Sequence, residues 1–213
     1  MEDRTNPGLY LEMTDAPEHD CAARAEVLLG HPGVVRATWW RNVRRDRDDL
    51  PRVLPEFDHL VVAETVDDER PAAIDGYASL HFLRTPRPGQ GSLSAKPTIG
   101  LSLVLISPDD DRRADELRDW ADFVHIRHIA EAAVPGYTMI TPYVNAEPGG
   151  HPRFMHWYEM DCDDPERSFK MMTPLVTARF GGSHHSSWKE WAFGPSLRIM
   201  YVNTFARVGE VTR

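Results

Sequence analysis

Residues 99–145 read IGLSLVLISPDDDRRADELRDWADFVHIRHIAEAAVPGYTMITPYVN, and the order of signals in this stretch sets the architecture. Residues 99–106 form a nearly continuous apolar run of strand length, as in a strand covered on both faces. Ser107-Pro108-Asp109-Asp110 then carries the marks of a helix start: a serine cap, a proline at the first helical position and acids at the positive end of the dipole. The helix is predicted to run to about Ala133, with Leu117, Trp120, Ala121, Val124 and His128 on one buried stripe. Pro135-Gly136 ends it, and residues 137–145 make the next strand.

Working downstream, the turn residues of Ala146-Glu147-Pro148-Gly149-Gly150 lead into a strand at 153–162. Asp164-Pro165-Glu166 repeats the cap pattern ahead of Phe169, Met172, Leu175, Val176 and Phe180, and a last strand follows at 197–208. The order is strand-helix-strand-strand-helix-strand. Upstream, the chain says the same thing a first time. Gly8-Leu9-Tyr10-Leu11 is echoed by Gly100-Leu101-Ser102-Leu103; Pro32-Gly33, Thr38 and Asn42 by Pro135-Gly136, Thr141 and Asn145. Phe57, His59, Asp67, Glu69 and Arg70 return as Phe154, His156, Asp164, Glu166 and Arg167. Three blocks recurring in order indicate two copies of one supersecondary unit.

In the first copy a strand at 9–13 precedes a short helix opened by Pro17-Glu18 and stopped at 30–33. Strands are expected at 34–42, 57–66 and 77–84, with 43–56 a solvated loop and 68–74 an abbreviated helix. The expected organisation is a first repeat at 1–86, a linker at 87–98 and a second repeat at 99–213. The fold class is α+β: two tandem ferredoxin-like repeats whose antiparallel sheets turn their bare apolar faces together and pack into an α/β barrel. A cavity between the two sheets is then the expected ligand chamber.

Composition narrows the function. The chain has 213 residues and a net charge of -9, a repulsive background for phosphate backbones or anionic lipid, so nucleic acid and membrane are not expected partners. The longest apolar run, 99–106, is far short of a bilayer span, and the acidic start of the chain has no leader pattern, which points to the cytoplasm. Cys21 and Cys162 form no CxxC pair and are read as structural thiols. GxSxG, GxxxxGK[ST] and GxGxxG signatures are all absent.

Residues 120–145, with their aromatic residue, histidine, proline-glycine and strand, resemble the dimeric α/β-barrel superfamily, especially its EthD-like branch, here as a tandem repeat. The block 153–181, with Tyr158-Glu159 and then Asp164-Pro165-Glu166, is similar to the same branch. The resemblance covers most of 99–208. The first copy matches in outline only, having no histidine where the second has His128. The resemblance implies cyclisation, isomerisation, elimination or oxygenation as the reaction class, in a superfamily that also includes proteins without known activity.

His128, on the stripe and near a helix end, is the candidate catalytic group, since imidazole exchanges protons near neutrality. His125 stands three residues before it at a spacing that metal sites use, but no acid or cysteine completes the set, so no metal is expected. Residues two apart share a strand face, which pairs His156 with Tyr158, Tyr143 with Asn145 and Tyr201 with Asn203 as pocket liners. Alternation does not say which face lines the cavity, and Met155 and Trp157 are equal rivals. Of the neighbours Trp39 and Trp40 only one can point inward; Trp39 is the candidate. The glycine-flanked stretch 181–191, with His184, His185, Trp188 and Trp191, is read as a lid or as an insertion pinned by its own tryptophans. The expected substrate-binding set is therefore Trp39, Tyr143, His156, Tyr158, Tyr201, Asn203, His184 and Trp188. The expected function is a cofactor-independent enzyme acting on a small apolar or aromatic carbonyl compound, as a monomer or homodimer. The alternatives are a non-catalytic small-molecule-binding or accessory protein and a haem-binding barrel.

Overall fold

The computed structural model describes residues 7–66 and 70–213. The acidic residues 1–6, and the Asp67, Asp68 and Glu69 portion of the repeated block and of the expected first-copy helix, lie outside the described residues.

The first repeat comprises β1 (Gly8–Thr14), α1 (Glu18–Leu29), β2 (Val34–Asn42), β3 (His59–Thr65) and β4 (Ala78–Arg84). A two-residue strand, β5 (Gln90–Gly91), lies in the expected linker and pairs with β7. The second repeat comprises β6 (Gly100–Pro108), α2 (Ala114–Trp120), α3 (Ile126–Glu131), β7 (Tyr137–Asn145), β8 (Phe154–Met160), α4 (Pro165–Arg179), α5 (Ser186–Ala192) and β9 (Leu197–Thr212). Each repeat has the same spatial strand order, β4-β1-β3-β2 and β9-β6-β8-β7, and every pairing is antiparallel. The β2–β9 and β4–β7 pairings join the two sheets into one closed eight-stranded barrel. Closure pairs every sheet edge and so removes the exposed ladder groups.

Local signals account for most boundaries. Asp164 caps α4 by accepting from Arg167 N at 2.9 Å, with Pro165 at the first turn. The helix start expected at Ser107 moves three residues on. Ser107 is buried in β6, where its hydroxyl binds His151 Nδ1 and Arg153 N, and Asp110 caps the following turn instead. Among the described residues 70–77 no helix forms, so the first repeat carries α1 alone over its outer face. The loop 43–58 is tied down rather than freely solvated: Arg47 is 1% exposed and bonds Asn203, Asp49 and Glu166.

The barrel interior is packed. Leu9, Leu11, Leu60, Leu101, Leu103 and Met155 come together there with Phe82 and Tyr143. Trp157 meets Trp40 edge-on at 6.2 Å, and Phe57 stacks on Tyr201 and Phe205 at 5.0 and 5.5 Å. The two sheets do face each other, but side chains occupy the space expected as a chamber. Open space lies instead on the far side of the second sheet, beneath its helices.

Candidate functional site

The second sheet turns Ser102, Val104 and Ile106 of β6, His156 and Tyr158 of β8, and Ile199 and Val202 of β9 away from the barrel. These form the floor of a cavity of about 270 Å³. Trp120, Ala121 and His125 roof it from the helix after β6, Phe169, Met172 and Thr173 from α4, Trp188 and Trp191 from α5, and Leu50 from the first repeat's loop. Among the described residues, no Lys, Arg, Asp or Glu lines it. Such a box favours a compact neutral ligand with aromatic surface.

A break in helical periodicity decides which histidine enters. Residues Ala121–His125 form one π-turn between α2 and α3. The extra residue rotates the helix, so the buried stripe passes from Leu117 and Ala121 to Asp122, Ile126 and Ile129. His128 is thereby turned out of the cavity lining. Its Nδ1 lies 3.4 Å from the Glu131 carboxylate and its ring meets Phe180 edge-on at 4.8 Å. His125 takes the inward place, parallel to Trp191 at 5.2 Å and 4.8 Å from Trp120. His125 Nδ1 donates to the Trp191 carbonyl at 3.0 Å, and Trp191 Nε1 donates back to the His125 carbonyl at 3.1 Å. Burial pushes the His125 pKa down to about 4, so this imidazole is neutral at physiological pH.

The same π-turn buries Asp122 at 3% exposure, aimed at His156 on the sheet beneath. His156 Nε2 and Asp122 Oδ1 are 2.8 Å apart, and both side chains are almost fully buried. A carboxylate only accepts, so Nε2 carries a proton and donates to Asp122, and Nδ1 is the ring nitrogen turned away from that bond. Nδ1 has no partner among the described residues. Ser102 Oγ and Tyr137 Oη, from two further lining residues, are buried without hydrogen-bond partners among the described residues. Burial raises the pKa of Tyr137 and Tyr158 well above the usual phenol value, so both hydroxyls stay protonated donors.

Of the residues expected from sequence, His156, Tyr158 and Trp188 line this cavity. Tyr143 and Tyr201 point into the packed barrel, where Tyr201 Oη donates to Glu56. Asn203 is fully buried against Arg47, the Arg44 carbonyl and Glu56. Trp39 packs outside the barrel against Gly209 beside the α1 core, while Trp40 is the inward tryptophan. His184 is exposed in the turn before α5. That turn and α5 are strapped down, with Trp188 Nε1 donating to Thr177 at 2.8 Å and Trp120 Nε1 to the Glu190 carbonyl at 2.7 Å. Asp122, His125, Ser102 and Tyr137 were absent from the expected site. Asp122 lies off the stripe that a 3.6-residue period predicts, and only the π-turn buries it.

The haem alternative fails a fit test. The cavity is below the roughly 300–1,000 Å³ usual for drug-sized ligands, its walls hold no cation for propionate groups, and the rings of Trp120 and Trp191 occupy the space beside His125.

Comparison with known proteins bears on the fold. No family model matches the chain, and no curated protein sequence matches it. An anthrone oxidase-like protein of known crystal structure superposes with a TM-score of 0.58 at 14% identity, covering 99% of this chain and 94% of that one. Chlorite dismutase from Candidatus Nitrospira defluvii, in complex with imidazole, gives 0.53 at 9% identity, covering 97% and 93%. At these identities the likeness is one of architecture. The chain has the fold of the dimeric α/β-barrel proteins, carried as two repeats in one polypeptide.

Proposed function

We propose that the protein is a cofactor-independent enzyme in which His156, held by Asp122, removes a proton from a neutral aromatic carbonyl compound bound beneath the helices of the second repeat. The observation that carries this reading is a buried His–Asp pair whose histidine lines a tryptophan-walled cavity with no Lys, Arg, Asp or Glu among its described lining residues. Asp122 fixes the tautomer and stabilises the imidazolium once formed, as orienting carboxylates do in other acid–base sites. The bond from carbon to hydrogen breaks, the proton goes to Nδ1, and the electron pair moves onto the carbonyl oxygen as an enolate. Tyr137 and Ser102 supply unsatisfied hydroxyls suited to receive that oxyanion. The similarity to an anthrone oxidase-like protein, and the resemblance to the EthD-like branch, agree with an enolisable aromatic ketone as substrate class.

The test is exchange of the acidic C–H of such ketones, anthrone among them, with deuterium in D2O, followed by NMR. Wild-type protein is expected to catalyse exchange. His156→Gln should lower the rate by roughly 10²–10⁴ with little change in ligand affinity. Binding without any exchange by the wild type would leave a carrier or accessory protein, and unchanged exchange in the variant would remove His156 as the base.

A further inference from the structure

The acid partner of His156 is itself held by the chain that joins the two repeats. Asp122 Oδ2, the oxygen turned away from His156, accepts from Arg87 Nη1 at 3.3 Å. Arg87 belongs to the connection between β4 and β5, outside both sheets and outside the cavity lining. Its guanidinium is fixed on two further sides, by Asp119 at 2.6 Å through Nη2 and by the Phe123 ring 4.9 Å away. That stacking gives Phe123 a role despite its exposure. A planar fork locked by three partners is suited to holding one carboxylate rotamer, which a flexible side chain would not do.

We propose that Arg87 is a positioning residue, setting the orientation and charge of Asp122 and, through it, keeping His156 available as a neutral base. This rests on the His156–Asp122 reading of the site, but its test needs no substrate. The other groups around the pair are Arg118, whose Nε is 3.8 Å from Asp122, Tyr158 with its ring 6.5 Å from that of His156, and the neutral His125. Only Arg118 shares the charge of Arg87, and it makes no hydrogen bond to Asp122 among the described residues. With Arg87 present, the carboxylate is divided between a cation and the imidazole. With Arg87 gone, Asp122 keeps only the longer contact to Arg118, and more of its negative charge faces His156, which favours the protonated imidazole.

The experiment is an NMR titration of the His156 imidazole in wild type, Arg87→Met and Arg87→Lys, with the resonance assigned by His156→Gln. Arg87→Met should move the midpoint up by about one pH unit. Arg87→Lys, which keeps the charge, should stay near the wild-type midpoint. Arg87→Gln gives the same test if the methionine variant does not fold. An unchanged midpoint in the uncharged variants would overturn the proposal, as would an equal shift in the lysine variant. Failure of the ketone exchange assay with a normal Arg87 effect would instead count against the substrate reading alone.

Discussion

The two repeats use one plan to opposite ends, and the contrast sits in the gap between each sheet and its helices. If Gly8 is matched to Gly100, Tyr10 and Glu12 of β1 correspond to Ser102 and Val104 of β6. In the first repeat Glu12 is fully buried and takes both Nε and Nη2 of Arg24, at 2.8 and 2.6 Å, while Tyr10 Oη donates to it at 3.0 Å. Arg24 also bonds the Ala72 carbonyl at 2.8 Å, in the connection where no second helix forms among the described residues. In the second repeat the serine and valine leave that volume empty, and the polar groups move across to β8 as His156 and Tyr158. Their counterparts on β3, opposite Glu12 and Tyr10, are Val61 and Ala63. Two side-chain sizes on one strand thus separate a structural core from a pocket.

The contrast can be broken from the first repeat. Arg24→Met leaves the Glu12 carboxylate buried without its cation, and the expected loss is about 3–5 kcal/mol of stability. Urea unfolding would measure it, and the ligand affinity of the second repeat should be unchanged in the folded protein. An Arg24→Met protein as stable as wild type would deny that the first gap is held by this pair.

A smaller effect sharpens the second repeat. Folding lowers the His125 pKa from the ordinary histidine value near 6.5 to about 4, so below pH 6.5 the unfolded chain binds a proton that the native state refuses. Stability from this residue is complete above pH 6.5 and drains away as pH falls toward 4, by at most about 3 kcal/mol. The carboxylates held low by arginines, such as Glu131 and Glu210, act below pH 4.5, outside the window in which His125 acts. His125→Asn should flatten the stability curve between pH 4.5 and 6.5, as read by thermal unfolding. A slope equal to wild type would show that His125 is not held neutral.

The barrel was legible because its signals are local: apolar runs, Pro-Gly stops, the Asp164 cap and the repeated order of blocks. What failed depended on geometry that local patterns do not carry. A single π-turn exchanged His128 for His125, since a 3.6-residue period cannot anticipate one extra residue. Strand bulges at Leu105/Ile106 and Tyr137/Ile140 shift faces that simple alternation assigns. The His156–Asp122 pair joins residues 34 apart, a contact that no sequence spacing announces. Tyr201 and Asn203 were rightly expected to share a face, but it is the barrel face, where closure of the sheet demands bulk. Within the repeated block, His59 and His156 sit two residues apart in ladder register, so the echo in sequence is not an equivalence in space.

The most direct test is a titration of a neutral polycyclic aromatic ketone, followed by quenching of tryptophan fluorescence, in wild type and Ser102→Phe. Trp120, Trp188 and Trp191 wall the gap that the phenyl ring would fill, as Tyr10 fills the first. Saturable quenching by wild type, lost at least about 100-fold in the variant with thermal stability retained, is the predicted result. Equal affinity in the two proteins would place the ligand elsewhere and contradict the account.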